Sequence, residues 1–298
     1  MNSLKIKKIL VPVDFSTTGE KVLDQAVLMA KKANAEITLY TVIEGPMSNN
    51  GNDYSKPSAY YKPVLNKMVM EWTKKQIKEL KNTLAKNGAL NVETKIEYGI
   101  PYKKTLEFSK RNKFDIILMG THGISGFREY SIGSNTFKIV SETECPVLSV
   151  QKHTATPDFK QILLPFRDRP HSREGVDSAI AMAKLYGATV NILGIYIDSS
   201  ALKKLKLEAE QIKGICRKQG VQCTVEVIKG KYVSKLILDY AKKKKADLIV
   251  LMADLDKFTI SEFIVGPVIQ QIVNHSSIPI LSIPPLINPK NIEYDNMF

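Results

Sequence analysis

"KKILVPVDFS" spans Lys7–Ser16, and "KQILLPFRDR" spans Lys160–Arg169. Ile9-Leu10-Val11-Pro12 aligns on Ile162-Leu163-Leu164-Pro165 at an offset of 153 residues. Each is an unbroken apolar run, the pattern of a strand buried on both faces of a parallel sheet. A second pair of blocks recurs further on. "REYSIGSNTFKIVSETECPVLSV" ends at Val150 and "SEFIVGPVIQQIVNHSSIPILSI" ends at Ile283. Gly133 falls on Gly266, Ile139-Val140 on Ile272-Val273 and Pro146 on Pro279, at an offset of 133. The chain of 298 residues therefore reads as two copies of one unit, the second about 20 residues shorter in its middle. The expected domains are residues 1–153 and 154–298.

Each copy alternates strands with helices. After the first strand, Ser16 or Thr17 can cap a helix in which Leu23, Ala26, Val27 and Ala30 recur on one face. "EITLYTVI" is a second strand, and an amphipathic helix runs from about Val64 to Lys86, closed by Asn87-Gly88. "NVETKIEY" is a third strand, Pro101 opens a helix through Lys110, and "FDIILMG" is a fourth strand. A helix from Ser134 to about Ser141 and the strand "PVLSV" complete the copy. The second copy repeats this order with "QILLPF", a helix through Tyr186, "ATVNILGIYI", a helix from about Ser199 to Gln219, and "VQCTVEVI". A helix through Lys244, "ADLIVLM", a helix near Gln270 and "IPILSI" follow. The fold class is α/β: two tandem doubly wound domains, each a five-stranded parallel sheet flanked by helices. The length difference falls after the second strand. There the first copy carries the Gly-, Pro-, Asn- and Tyr-rich loop Glu44–Pro63, and the second only about "DSS", Asp198–Ser200.

Composition narrows the function. No apolar run approaches the ~20 residues of a membrane helix, and the N-terminus lacks a signal-peptide pattern. The expectation is a cytoplasmic protein with no membrane partner. Cys145, Cys216 and Cys223 form no C-x-x-C and signal neither zinc nor a redox pair. The net charge of +13 comes mostly from lysines on helix faces such as Lys74, Lys75, Lys78 and Lys81. Without an aromatic-plus-basic motif, it does not favour nucleic acid as a partner.

In open α/β sheets, ligands bind at the carboxyl ends of the strands, near the switch in strand order. Asp14 would end the first strand, Val42 the second and Met119-Gly120 the fourth. The stretch "MGTHGISG", Met119–Gly126, is followed by Gly133-Ser134-Asn135 at the start of a helix. A helix N-terminus offers unpaired N–H groups to a phosphate, and glycines let backbone approach it closely. Ser134, Asn135 and Thr136 can add side-chain hydrogen bonds. The Asp14 carboxylate can accept from a ribose diol or an adenine amino group. His122, between two glycines, either contacts phosphate, acts as an acid/base, or faces solvent or a neighbouring loop.

This pattern resembles the universal stress proteins, whose ATP-binding members carry G-2x-G-9x-G-(S/T) after the fourth strand. Gly120, Gly123 and Gly133-Ser134 match it, as do the opening "ILVPVDFS" and the closing "CPVLSV". The resemblance covers nearly the whole chain as two copies. It implies ATP as the ligand, with Asp14 holding the adenosine portion and Val42 and Met119 lining the adenine beside Pro12 and Val13. The backbone at Gly120, Gly123 and Gly133, with Ser134 and Asn135, falls at the ribose and phosphates. Any Mg²⁺ would come with the nucleotide, held mainly by phosphates and water.

The second copy departs from the pattern. Arg167 stands for Asp14, "LMADLDKF" (Leu251–Phe258) has no glycine, and Pro267 follows Gly266. Proline removes an N–H where a donor is wanted, and Asp254 and Asp256 repel phosphate. No nucleotide is expected there. The resemblance further implies pairing of the last strands, here within one chain as a pseudo-dimer, with a further homodimer compatible with it. The chain reads as an ATP-binding stress-response regulatory protein with an unknown protein partner. The alternative is a slow ATPase or nucleotide-dependent transferase, although no catalytic base or Walker-type loop stands out.

Overall fold

The computed structural model describes residues 4–15, 19–44, 61–121, 134–151, 158–167, 175–253 and 268–284. They fall into two compact units, one within Ile6–Thr156 and one within Pro157–Phe298 together with Leu4 and Lys5. The first unit contains β1 (Lys8–Pro12), α1 (Gly19–Ala33), β2 (Glu36–Ile43), α2 (Tyr61–Lys86) and β3 (Val92–Tyr98). It continues with α3 (Pro101–Asn112), β4 (Ile116–Gly120), α4 (Ser134–Glu142) and β5 (Val147–Val150). Its strands lie in the order β3-β2-β1-β4-β5 and all pair in parallel. The second unit contains β6 (Gln161–Arg167), α5 (Gly175–Tyr186), β7 (Thr189–Tyr196), a 3-10 turn at Ser199–Ala201 and α6 (Leu202–Lys218). Then come β8 (Cys223–Lys229), α7 (Val233–Lys243), β9 (Leu248–Met252), α8 (Val268–His275) and β10 (Ile280–Ile283). The order β8-β7-β6-β9-β10 is again parallel throughout. Both units are thus the doubly wound sheets that the alternation of elements implies.

The apolar runs become the core because helices cover both faces of each sheet. Ile9, Leu10 and Val11 of β1, Ile116–Leu118 of β4 and Ile162 and Leu163 of β6 have no exposed surface. Most helix limits match the sequence pattern within two residues. One differs usefully: α2 starts at Tyr61, so Pro63 lies in its first turn rather than in the preceding loop. A proline there removes an N–H that has no partner within the helix anyway. Gly88 ends this helix region with a left-handed φ of 92°, as Asn87-Gly88 predicts. In the second unit the short connection after β7 is ordered by Asp198, which accepts from the Ser200 N–H at 2.8 Å.

An aspartate closes each sheet in the same way. Asp115 Oδ2 accepts from the N–H groups of Lys7 and Lys8 at 2.7 and 2.9 Å, tying the start of β4 to the start of β1. Asp247 accepts from the N–H of Lys160 at 2.7 Å and from that of Gln161. Burial pushes the Asp247 carboxyl above its ordinary range, against the lowering effect of these N–H donors. The three cysteines are free thiols. Burial pushes Cys145 up to about 11 and Cys216 up to about 12, so both stay protonated and unreactive at neutral pH.

Candidate functional site

The strand order of the first unit reverses between β1 and β4, and the two strands separate towards their carboxyl ends. They are in register at Ile9–Ile116 and Leu10–Ile117. Beyond that, β1 follows β2 up to Pro12–Tyr40 and β4 follows β5 up to Gly120–Val150. The crevice opened by this divergence is where doubly wound sheets hold ligands.

Its β1 side is held from two directions. The Val13 N–H donates to the Tyr40 carbonyl at 2.8 Å, and the Val13 carbonyl accepts from the Thr41 hydroxyl. The next residue, Asp14, is exposed. Phe15 then takes a left-handed φ of 57°, costly for a side-chain-bearing residue, and turns the chain away. Its ring meets the edge of Trp72 on α2, with centroids 5.2 Å apart and planes at 77°. Such a contact contributes about 0.5–1.5 kcal/mol, similar in size to the backbone cost. The turn that presents Asp14 is thereby pinned on both sides.

Pro12, Val13 and Val42 are half-buried, Met119 is buried and Gly120 is half-buried at the end of β4. Thr136 links this end to α4. Its hydroxyl donates to the Gly120 carbonyl at 2.9 Å, and the side chain is only 5% exposed. The sequence suggests Thr136 as a ligand donor, but here that proton fixes the first turn of α4 to the strand end. Asn135 in the same turn is exposed. The arrangement sets an exposed carboxylate after β1, a glycine at the end of β4 and the N-terminus of α4 around one crevice. This suits a ligand with hydrogen-bond donors at one end and negative charge at the other. His122, Gly123 and Gly133 lie outside the described residues, as do Gly126 and residues 45–60, and the Ser134 side chain.

In the second unit larger side chains stand at the two corresponding strand ends. Ladder register sets Met252, paired with Ile283, where Gly120 pairs with Val150. The offset in this strand is therefore one residue less than in the closing block. The Met252 Sδ lies 3.4 Å from where a Cβ on Gly175 would stand, and Gly175 occupies the place of Val22 in α1. At the end of β6, Phe166 takes the place of Val13 and is buried, and Gly194 takes the place of Thr41. A Cβ on Gly194 would lie 3.2 Å from the Phe166 ring and 3.1 Å from Leu205. Small and large residues have changed places twice: Val13–Thr41 against Phe166–Gly194, and Gly120–Val22 against Met252–Gly175. Sequence reading finds Arg167 in place of Asp14 but misses these four residues. The signal that could find them is the paired change, visible only once facing positions are known. Among the described residues no group of acidic, histidine and cysteine side chains could hold a metal ion.

Comparison with known proteins decides the family. The family model described as "Universal stress protein family" matches residues 5–151 and again residues 158–284. The chain belongs to the universal stress protein family. One curated relative, a universal stress protein of Methanocaldococcus jannaschii, is 27% identical over 147 residues, which cover 49% of this chain and 82% of the relative. Another from the same organism is 30% identical, covering 50% of this chain and 98% of the relative. Each is thus matched over most of its length by about half of this chain. Among solved structures, a universal stress protein from Archaeoglobus fulgidus covers 95% of this chain and 98% of its own, at 18% identity and a TM-score of 0.74. That likeness is one of fold.

Proposed function

We propose that this universal stress protein is a nucleotide-binding regulatory module with one adenine-nucleotide site, in its first unit. The observation that carries the reading is the contrast between strand ends. The first copy places Gly120, a half-buried Val13 and Asp14 at its strand ends, whereas the second places the larger Met252 and a buried Phe166 there and carries Arg167. The G-2x-G-9x-G-S spacing from Gly120 to Ser134, taken from the resemblance above, supports ATP as the ligand.

The residues present fit such a group. Gly120 has no Cβ to obstruct it, Asp14 offers an acceptor, and the Thr136 bond keeps the α4 N-terminus beside Gly120. Pro12, Val13, Val42 and Met119 would flank the base. Gly120, His122, Gly123, Gly133, Ser134 and Asn135 would face the sugar and phosphates. Mg²⁺ would be carried by the nucleotide. The protein would work in the cytoplasm, with occupancy of this site altering a surface read by a protein partner.

Titration calorimetry of the full chain with Mg-ATP tests the reading. It expects one ATP per chain and a drop of about tenfold or more for Asp14→Ala, the loss of a charged hydrogen bond. Two ATP per chain, or affinity unchanged in Asp14→Ala, would overturn it. Chromatography of the bound nucleotide decides the remaining question. Intact ATP supports a regulatory module, and phosphate release abolished by Gly123→Val supports the enzyme alternative.

A further inference from the structure

Helix α2 has 26 residues, whereas α6, its counterpart, has 17. Aligned at their C-terminal ends, the buried faces agree. Thr73, Ile77 and Leu84 match Leu205, Ala209 and Cys216, all buried. The additional length lies at the start of α2, and it and the turn that follows carry an exposed apolar stripe: Val64 (57%), Leu65 (43%), Met68 (63%), Val69 (42%) and Trp72 (53%). This spacing places the five on one side of the helix, turned well away from the Thr73–Ile77–Leu84 face. On α6 the large apolar residue exposed among described positions is Leu207 alone. On the same side of the helix stand Lys67, Lys75 and Lys78, all exposed and none in an ion pair among the described residues, together with the exposed Glu71 and Glu79, of which Glu71 pairs with Lys74 at 2.9 Å.

We infer that this stripe docks on the surface of an anionic lipid bilayer. Three observations select that occupant. The stripe is the outer side of a single helix, a ridge, whereas a peptide helix is normally received in a groove. Its apolar residues border unpaired lysines, the arrangement of helices that lie in a charged membrane interface. And α2 carries seven lysines against two glutamates, so pairing two copies of it would bring like charges together. Docking on the surface differs from spanning: no helix among the described residues is long and apolar enough to cross a membrane.

Trp72 is the chain's single tryptophan and lies on the stripe, so it reports directly. The full chain is mixed with vesicles of phosphatidylglycerol and phosphatidylcholine in equal parts, and separately with phosphatidylcholine alone. Co-sedimentation and a blue shift of Trp72 emission are expected with the anionic vesicles only, and both should fade at high salt. Val64→Gln with Met68→Gln should lower the bound fraction by about tenfold or more at an unchanged melting temperature, because the residues removed are exposed in the free protein. Lys67→Glu with Lys75→Glu and Lys78→Glu should abolish binding, and Leu207→Gln should leave it intact. Equal binding to both vesicle types, or none to either, would overturn the inference. So would lipid-free self-association that the Val64/Met68 variant removes, which identifies a second copy as the occupant. Lipid-free Trp72 emission already shielded from acrylamide would overturn it too, since the chain itself would cover the stripe.

Discussion

The carboxyl ends of β1 and β6 solve one packing problem in opposite ways. In the first copy Val13 is held by its backbone, through Tyr40 and Thr41, and its side chain stays half-exposed. In the second, the Phe166 side chain is driven into the space that Gly194 vacates. The same opposition recurs across the switch point, where Gly120 with Val22 faces Met252 with Gly175. An open crevice at the end of a sheet exposes apolar wall to water. Filling it with a side chain recovers that burial. The lesson is that the two strand ends differ by compensating volume as much as by the polar groups they carry.

The comparison can be broken first at Phe166. Phe166→Ala should lower stability by about 3–5 kcal/mol, read as a fall in the denaturant midpoint, because a buried ring is removed and a cavity remains. A negligible loss would mean that the ring fills nothing. Transplanting the other plug comes next. Gly120→Met should weaken ATP binding about a hundredfold in calorimetry, equivalent to ~2.7 kcal/mol, while the melting temperature moves little. Unchanged affinity would separate Gly120 from the ligand. Gly194→Thr should cost about 1–3 kcal/mol by overpacking against Phe166 and Leu205. Adding Phe166→Val to it, which rebuilds the first copy's pair, should give less loss than the two single changes summed, by about 0.5–3 kcal/mol of coupling. Simple additivity would refute the paired exchange. The smallest effect is expected at Thr136→Val. Losing its bond to Gly120 should cost about 1 kcal/mol in the first unit's unfolding and weaken ATP binding severalfold through a loosened α4.

Much of this was legible in the residues. Ile9–Pro12 and Ile162–Pro165 reveal the duplication, and alternation of strands and helices reveals the parallel sheets, while the order of strands within them comes from the structure. Asp14 and Gly120 were visible because their chemistry is local: a carboxylate after a strand, a glycine before a turn. Other features depend on which groups face each other across the sheet. The Phe166–Gly194 and Met252–Gly175 exchanges join residues 28 and 77 positions apart. The ladder register moved Met252 rather than Ala253 onto Gly120, since a one-residue offset between strand and closing block leaves no trace in composition. The bond from the Thr136 hydroxyl to the Gly120 carbonyl joins a helix start to a strand end 16 residues earlier, and no local pattern announces it. Pro63 read as loop because proline most often interrupts helices, and only its place in the first turn made it compatible with α2.

The aspartate clamps carry a consequence for how such chains lengthen. Asp115 reaches back 108 residues to Lys7, and Asp247 reaches back 87 to Lys160. For a flexible loop the closure entropy grows only with the logarithm of its length, so the longer span costs the first copy about 0.2 kcal/mol more. That is less than a single exposed ion pair contributes. The segment between β2 and α2 can therefore gain or lose some twenty residues with almost no penalty to the sheet beneath it. Selection on that connection is left to act on what it touches, not on whether the domain folds.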